Sequence, residues 1–271
     1  MDLRMKLLFF ILPAAIAFSS SHSSSTEAAR ELRTASGFDC SLPPVVAPVA
    51  PQKSDDSALD AILRKMDSVS STFRSAQAEF EWDNYQRVID EVVDVQTGTI
   101  YYRRSGKEID MMADVKKAGA TLASVKPEPK SVLFADGKVK MYQPKTDQVT
   151  VYDLGKDRGD LESYVVLGFG GSGQDLLKAF DVKYQGTETV NGVSATKLEL
   201  TPKSERVRRN YNRMILWIDP DKGVSVQQEF FTPQGDYRLC KYSSIKLNEK
   251  ISDDQFKLKT TSKTQVISPK G

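Results

Sequence analysis

Histidine is almost missing from this chain: the single one, His22, lies close to the N-terminus. Ser–His and Cys–His nucleophile pairs and histidine-held metals are thereby excluded from the rest of the sequence. Cysteine is nearly as scarce. Cys40 and Cys240 are the whole complement, and no Cys-x-x-Cys occurs. Two cysteines suit an exported protein, and whether they pair stays open, because Cys40 falls in a linker-like stretch. A surplus of either charge is lacking as well. The chain carries 38 basic and 36 acidic side chains, so nucleic acid is not an expected partner. Beyond Phe18 no apolar run approaches the ~20 residues that a membrane-spanning helix needs. Carboxylates are plentiful, but most alternate with apolar residues and read as solvent-facing, so no catalytic pair stands out. The sequence predicts neither an enzyme nor a cofactor.

What is present begins with an export signal. Arg4 and Lys6 precede the apolar run Leu7 to Phe18, which Pro13 alone interrupts. Ala15-Ile16-Ala17 then offers the small-x-small pattern of a cleavage site, and serines follow. Residues 1–25 are assigned to the signal peptide, with the cut left open. No cysteine directly follows the apolar core, so a soluble, periplasmic mature protein without a lipid anchor is expected. Residues 26–56 form a linker. Within it, Leu42-Pro-Pro-Val-Val-Ala-Pro-Val-Ala-Pro51 has four prolines in extended spacing, which rules out a helix.

The domain is placed at 57–271. Asp55, Asp56 and Ser57 are N-cap candidates. Leu59, Ile62, Leu63, Met66, Val69 and Phe73 then recur at helical spacing, predicting a helix that ends near Arg74. From residue 76 the period changes to two. Phe80 and Trp82 alternate with acids; Ile100, Tyr102 and Arg104 share a face; Val139 and Met141 alternate with lysines. Val149 and Val151, Leu198 and Leu200, Met214, Leu216 and Ile218, and finally Leu239 continue the pattern. Asp136-Gly137, Asn191-Gly192 and Pro233-Gln-Gly235 mark tight turns, so the strands pair as antiparallel hairpins. A mainly β (α+β) fold follows: about nine to eleven strands, apolar on one face, in a sheet that twist must curl. The first helix and weaker helical segments at 157–165 and 174–180 are available to cover it. Pattern alone leaves open whether the interior is packed or hollow.

Gly168-Phe-Gly-Gly-Ser-Gly173 lacks the Lys-Ser/Thr of a phosphate loop and reads as a flexible hinge beside the helical segment at 174–180. Arg206, Arg208, Arg209 and Arg213 form a basic cluster, either facing anionic lipid or a membrane-bound partner, or simply a solvated face.

Ser131-Val-Leu-Phe-Ala-Asp-Gly-Lys138, continuing through Met141-Tyr-Gln-Pro to Gln148-Val149, resembles the periplasmic lipoprotein-carrier family of LolA and its relatives. Lys197-Leu-Glu-Leu-Thr-Pro-Lys203 and Asn248 to Phe256 follow in the family's order, so the likeness spans roughly 57–267. The resemblance implies a half-barrel closed by a helical lid over an apolar cavity. It further implies that acyl chains of lipoproteins are received from an inner-membrane release complex and delivered to an outer-membrane acceptor. A monomer is expected. The inward strand residues above, Phe80 through Leu239, would line the cavity. Arg104 stands where the family has its lid-contacting arginine, although Ser105 replaces the proline that commonly follows. Two alternatives remain: a carrier or sensor for another amphiphile, and a non-transport interaction module with a filled core.

Overall fold

The computed structural model describes residues 53–106, 108–155, 164 and 167–269; the stretch 1–25 assigned to a signal peptide, residues 26–52 of the assigned linker and all of segment 157–165 except Tyr164 lie outside them, whereas residues 53–56 of that linker belong to the first helix. Helix α1 (Lys53–Thr72) begins two residues before Asp55, which places Asp55 and Asp56 in the first turn, where they complement the helix dipole. Ile62, Leu63 and Met66 are buried, each worth about 1.5–3 kcal/mol of transfer free energy. The helix stops at Thr72, so Phe73 packs from the connection into β1.

The strands are β1 (Ser75–Gln86), β2 (Glu91–Ser105), β3 (Glu108–Gly119), β4 (Lys126–Ala135), β5 (Lys138–Gln143) and β6 (Gln148–Asp153). Helix α2 (Gly173–Ala179) leads into β7 (Phe180–Val190), β8 (Val193–Pro202), β9 (Arg213–Asp219), β10 (Val224–Phe231), β11 (Tyr237–Leu247) and β12 (Gln265–Ile267). A single helical turn, Glu205–Arg208, separates β8 from β9. All twelve strands form one unclosed sheet in the order β12-β6-β5-β4-β3-β2-β1-β11-β10-β9-β8-β7. The expected curved, mostly antiparallel sheet is thus present, with one strand more than the upper bound. The extra feature is β12, which pairs parallel with β6. Chain-sequential hairpins account for both halves, and β1 joins β11 to link them.

Curling has local causes. Register shifts interrupt β1, β2, β3, β7 and β10, and each extra residue bends its strand and increases twist. Gly98 adds a close approach: a Cβ there would stand 2.0 Å from the Asp114 carbonyl oxygen and 2.9 Å from the Phe80 ring. The aromatic ring of Phe80 therefore packs directly against the β2 backbone.

Two apolar clusters fill the concave side. One gathers Phe80, Trp82, Ile100, Tyr102, Met111, Val132, Phe134 and Tyr242. The other joins α1 through Ile62, Leu63 and Met66 to Leu198, Leu200, Met214, Leu216 and Ile218. The outer face is less polar than simple alternation predicts. Met112 and Leu133 lie there under Phe256, with Ile251 and Leu258 packed alongside. Arg103 fastens that C-terminal segment, stacking 4.2 Å over the Phe256 ring and pairing with Asp110 and Asp253. A second outer patch of Ile215, Trp217 and Val226 lies beneath Lys197, whose amino group stands over the Trp217 ring, near Arg213, which stacks over Phe231.

The lid, its arginine and the cavity beneath

The C-terminus of α1, the β2–β3 hairpin and the glycine-rich turn before α2 meet at one end of the half-barrel. Arg104 sits at their junction. Its Nε donates to the Phe73 carbonyl (3.0 Å), and its Nη2 donates to the carbonyls of Ser70 (3.3 Å) and Gly170 (3.2 Å). Ser70 Oγ donates to the same Gly170 oxygen at 2.8 Å. One guanidinium thus ties together carbonyls at the end of α1 and in the turn, as planar multi-donor geometry allows. Helix α2 is fixed to α1 as well. Its Gln174 N–H donates to Asp67 (3.1 Å), and Gly173 packs so tightly that a Cβ would lie 2.5 Å from the Leu63 carbonyl oxygen. Ser172 caps α2 by accepting from the Asp175 N–H.

Behind this junction lies a cavity of about 510 Å³. Its wall is apolar where Met66, Ile109, Leu176, Phe180 and Val207 contribute, and charged where Arg104, Glu108, Asp175, Lys178 and Lys203 contribute. The turn residues Leu167, Gly168, Gly170, Gly171 and Ser172 form the partition between this cavity and the sheet interior. The volume falls within the range of about 300–1,000 Å³ typical of small-ligand sites.

The interior beyond the partition is filled. Phe169 is 0% exposed. Its ring stacks on Tyr102 at 4.9 Å and meets Tyr242 edge-on at 5.0 Å. The turn that carries it is held by Gln228 Nε2 donating to the Leu167 carbonyl (2.6 Å) and by the Ser225 N–H donating to the Gly168 carbonyl (2.9 Å). Tyr242 in turn donates to Gln228 Oε1 at 3.2 Å. Burial pushes the Tyr102 and Tyr242 phenols up, so both stay protonated and serve as neutral walls.

Farther from the lid, the concave face turns polar. Arg238 donates to Asn84 (2.8 Å), Asn84 and Gln96 both donate to Asp94 (2.8 and 2.7 Å), and Lys130 donates to Gln96 (3.0 Å). Desolvation, with Arg238 nearby, lowers the Lys130 amino group to about 8.

The strand residues expected to line a cavity fall into two groups. Phe80, Trp82, Ile100, Tyr102 and Met141 are buried in the first concave cluster, with Val139 packed against it. Leu198, Leu200, Met214, Leu216 and Ile218 are buried in the second. None of them borders the 510 Å³ cavity, which helix, turn and strand-end residues line instead. Three expectations are corrected by register. Val149 is opposite Tyr142 and Val151 opposite Lys140, so both point away from Met141, to the outer face. Thr150 and Tyr152 take the inward positions, Tyr152 within the core. Leu239 is opposite Asp83 and Glu229 and faces outward, whereas its neighbour Cys240 is buried opposite Trp82. Burial pushes the Cys240 thiol up to about 12, an inert position for a thiol; Cys40 lies outside the described residues. The basic cluster does not form a bare cationic surface. Arg208 pairs with Glu205 (2.8 Å), Arg213 pairs with Glu199 (3.8 Å), Arg206 is half-buried, and Arg209 is exposed at the end of the helical turn.

Phe169, Gln228 and Ser225 were not legible as site residues. The glycines around position 169 signalled a hinge, but no periodicity reveals that the phenylalanine between them enters the core. Among the described residues no group of acids, cysteines or histidines could hold a metal ion, and no helix is long and apolar enough to cross a membrane.

Fold and site together define a class: an unclosed, curved β-sheet with two helices packed over it and an arginine bonded to the backbone where they meet. A protein-family model described as "-like: Uncharacterized protein" matches residues 135–267, slightly under half of the chain. Among curated proteins, none matches the sequence. Solved structures of similar architecture include an uncharacterized conserved protein from Thermus thermophilus, 14% identical over 79% of this chain and 99% of that one, with a TM-score of 0.48. A LolA superfamily protein from Nitrosomonas europaea is 16% identical over 74% of this chain and 97% of its own, with a TM-score of 0.36. MucB in the Pseudomonas aeruginosa MucA/MucB complex is 15% identical over 74% of this chain and 61% of its own, with a TM-score of 0.42. At these identities and scores the likeness is one of shape and transfers no function.

Proposed function

We propose that this chain is a non-enzymatic carrier that shelters the acyl part of an amphiphile beneath the α1–α2 lid. The observation that carries the reading is the bonding of Arg104: beside the cavity, one side chain joins carbonyls at the end of α1 to a carbonyl in the turn before α2, through bonds that would break if these pieces moved apart. Magnitudes favour opening by ligand. Three hydrogen bonds from a charged donor are worth roughly 1.5–3 kcal/mol each at most. An acyl chain of a dozen or more methylenes, at about 0.8 kcal/mol per methylene, supplies on the order of 10 kcal/mol. The chain can therefore offset the latch and leave a net affinity weak enough for hand-over. The export signal and the motif resemblance support the finer reading: a periplasmic monomer that moves acylated lipoproteins from an inner-membrane release complex to an outer-membrane acceptor.

A second reading has one observation behind it. Phe169 fills the concave interior in this state, as an interaction module with a permanent core would require. Lipid extraction and mass spectrometry of the protein purified from its own envelope separate the two. Co-purified lipoprotein supports the carrier and its cargo, and another lipid supports a carrier of a different amphiphile. A chain that carries nothing and takes up no apolar dye overturns the carrier reading.

A further inference from the structure

The turn 167–170 places an apolar finger between two tyrosine rings and engages buried donors with its own carbonyls. Phe169 occupies the slot of Tyr102 and Tyr242. Immediately beside it, the Leu167 carbonyl satisfies Gln228 Nε2 and the Gly168 carbonyl satisfies the Ser225 N–H. Gln228 is 3% exposed, so losing its acceptor without replacement leaves a desolvated donor, which is strongly unfavourable. Neither helix nor strand carries Phe169. Gly168 and Gly170 flank it with φ of +78° and +79°, and the turn residues on the other side line the cavity under the lid. The partition between cavity and slot is therefore a turn rather than a packed element.

We propose that Phe169 and its flanking carbonyls are an internal stand-in for the ligand, occupying an inner binding slot that merges with the cavity under the lid when the turn withdraws. This rests on the carrier reading and narrows its ligand class. A molecule that replaces the turn must bring a hydrocarbon tail for the space between Tyr102 and Tyr242. It must also bring a carbonyl oxygen, whose two lone pairs can accept from Gln228 and from the Ser225 N–H. An O-acyl or N-acyl compound has both, whereas an alkyl ether of the same length has the tail alone. The glycines belong to the same device. A Cβ on Gly168 would come within 2.4 Å of the Ser225 Cβ and 2.7 Å of Gln228 Nε2, so the turn seats only because that position is bare.

The test compares binding of monodecanoylglycerol and of the matching decyl glycerol ether, which lacks only the carbonyl. Both are measured by displacement of an apolar fluorescent dye from the wild type, Phe169→Ala and Phe169→Leu, with melting curves to verify folding. Removing the stand-in tightens the ester at least about tenfold in Phe169→Ala, since a buried aromatic no longer has to be expelled; Phe169→Leu lies between it and the wild type and decides the matter if the alanine variant does not fold. The ester binds several-fold better than the ether, and adding Gln228→Met to the Phe169 variant reduces that preference, leaving only the part that the Ser225 N–H supplies. If the wild type takes up the probes and neither Phe169 variant binds them more tightly, Phe169 is an ordinary core residue and the inner slot is refuted, with the carrier reading intact. Equal binding of ester and ether in the Phe169 variants refutes the carbonyl requirement. If no chain binds either probe, with Arg104→Ala included as a lid-weakened control, slot and carrier reading fall together.

Discussion

Single side chains on this sheet answer to a period of two, and a slip of one residue reverses their meaning. Val149 and Val151 are the better β-formers and the more apolar residues of β6, yet Thr150 and Tyr152 face inward because pairing with Val139 and Met141 demands it. Leu239 lost its inward place to Cys240 in the same way. Alternation identified the strands, but where both faces carry apolar residues it could not choose between them; the outer patches under the C-terminal segment and around Trp217 create that ambiguity. Lys130 is the clearest single-residue prediction. Its amino group is held near 8 in the folded state, against an ordinary value of 10.5, chiefly by desolvation. Between those two values the unfolded chain binds the extra proton and the folded chain does not, so stability gained from this residue rises with pH across the window. Denaturant melts at pH 7, 8, 9 and 10 should show wild type gaining on Lys130→Met as pH rises. A stability difference that stays constant over that range would mean Lys130 is fully solvated.

At the level of elements, the carrier reading rests on how α1 and the turn before α2 meet over the sheet. The α1 stripe was plain in the sequence because six apolar residues recur at one spacing, and Ile62, Leu63 and Met66 do pack on the second cluster. The helix–turn partnership was not plain, because it depends on carbonyls of Ser70, Phe73 and Gly170, which no side-chain pattern encodes. Arg104 was singled out through family resemblance and through its shared face with Ile100 and Tyr102, and in the structure it donates to the carbonyls of Phe73, Ser70 and Gly170. Its removal separates two effects. Arg104→Ala should lower the melting temperature of the empty protein, by the equivalent of about 1–3 kcal/mol, because the closed state loses its latch. The same variant should bind an acyl probe several-fold more tightly, since the closed and empty state is the one that the latch favours. Arg104→Lys, with one ammonium in place of a planar fork, should fall between. A variant that loses stability and affinity together would make Arg104 part of the ligand contact rather than the latch.

Over the whole molecule, an open sheet leaves two edges, and each is handled differently. At one edge β12 is only three residues long and is pinned through Asp147, which accepts from Thr261 and Thr264 at 2.7 and 2.6 Å. At the other, β7 carries a register shift between Tyr184 and Thr187, with Gly186 at φ +87°. Between these edges Tyr102 of β2 and Tyr242 of β11 flank β1, and the turn residue Phe169 packs against both on the concave face. Mostly antiparallel order and curling followed from hairpin spacing and strand number. The filled interior did not, because it is supplied by a turn residue distant in sequence from the strands it touches.

The protein carries its own reporters of whether that interior opens. Its two tryptophans lie on opposite faces: Trp82 in the concave cluster with Phe169, and Trp217 in the outer patch. Quenching by a brominated acyl chain can be read from each alone, in Trp217→Phe and in Trp82→Phe. The carrier account predicts saturable, near-stoichiometric quenching of Trp82 with Trp217 almost unaffected. Equal quenching of both, or quenching of Trp217 alone, would place the acyl chain on the outside of the sheet and contradict it.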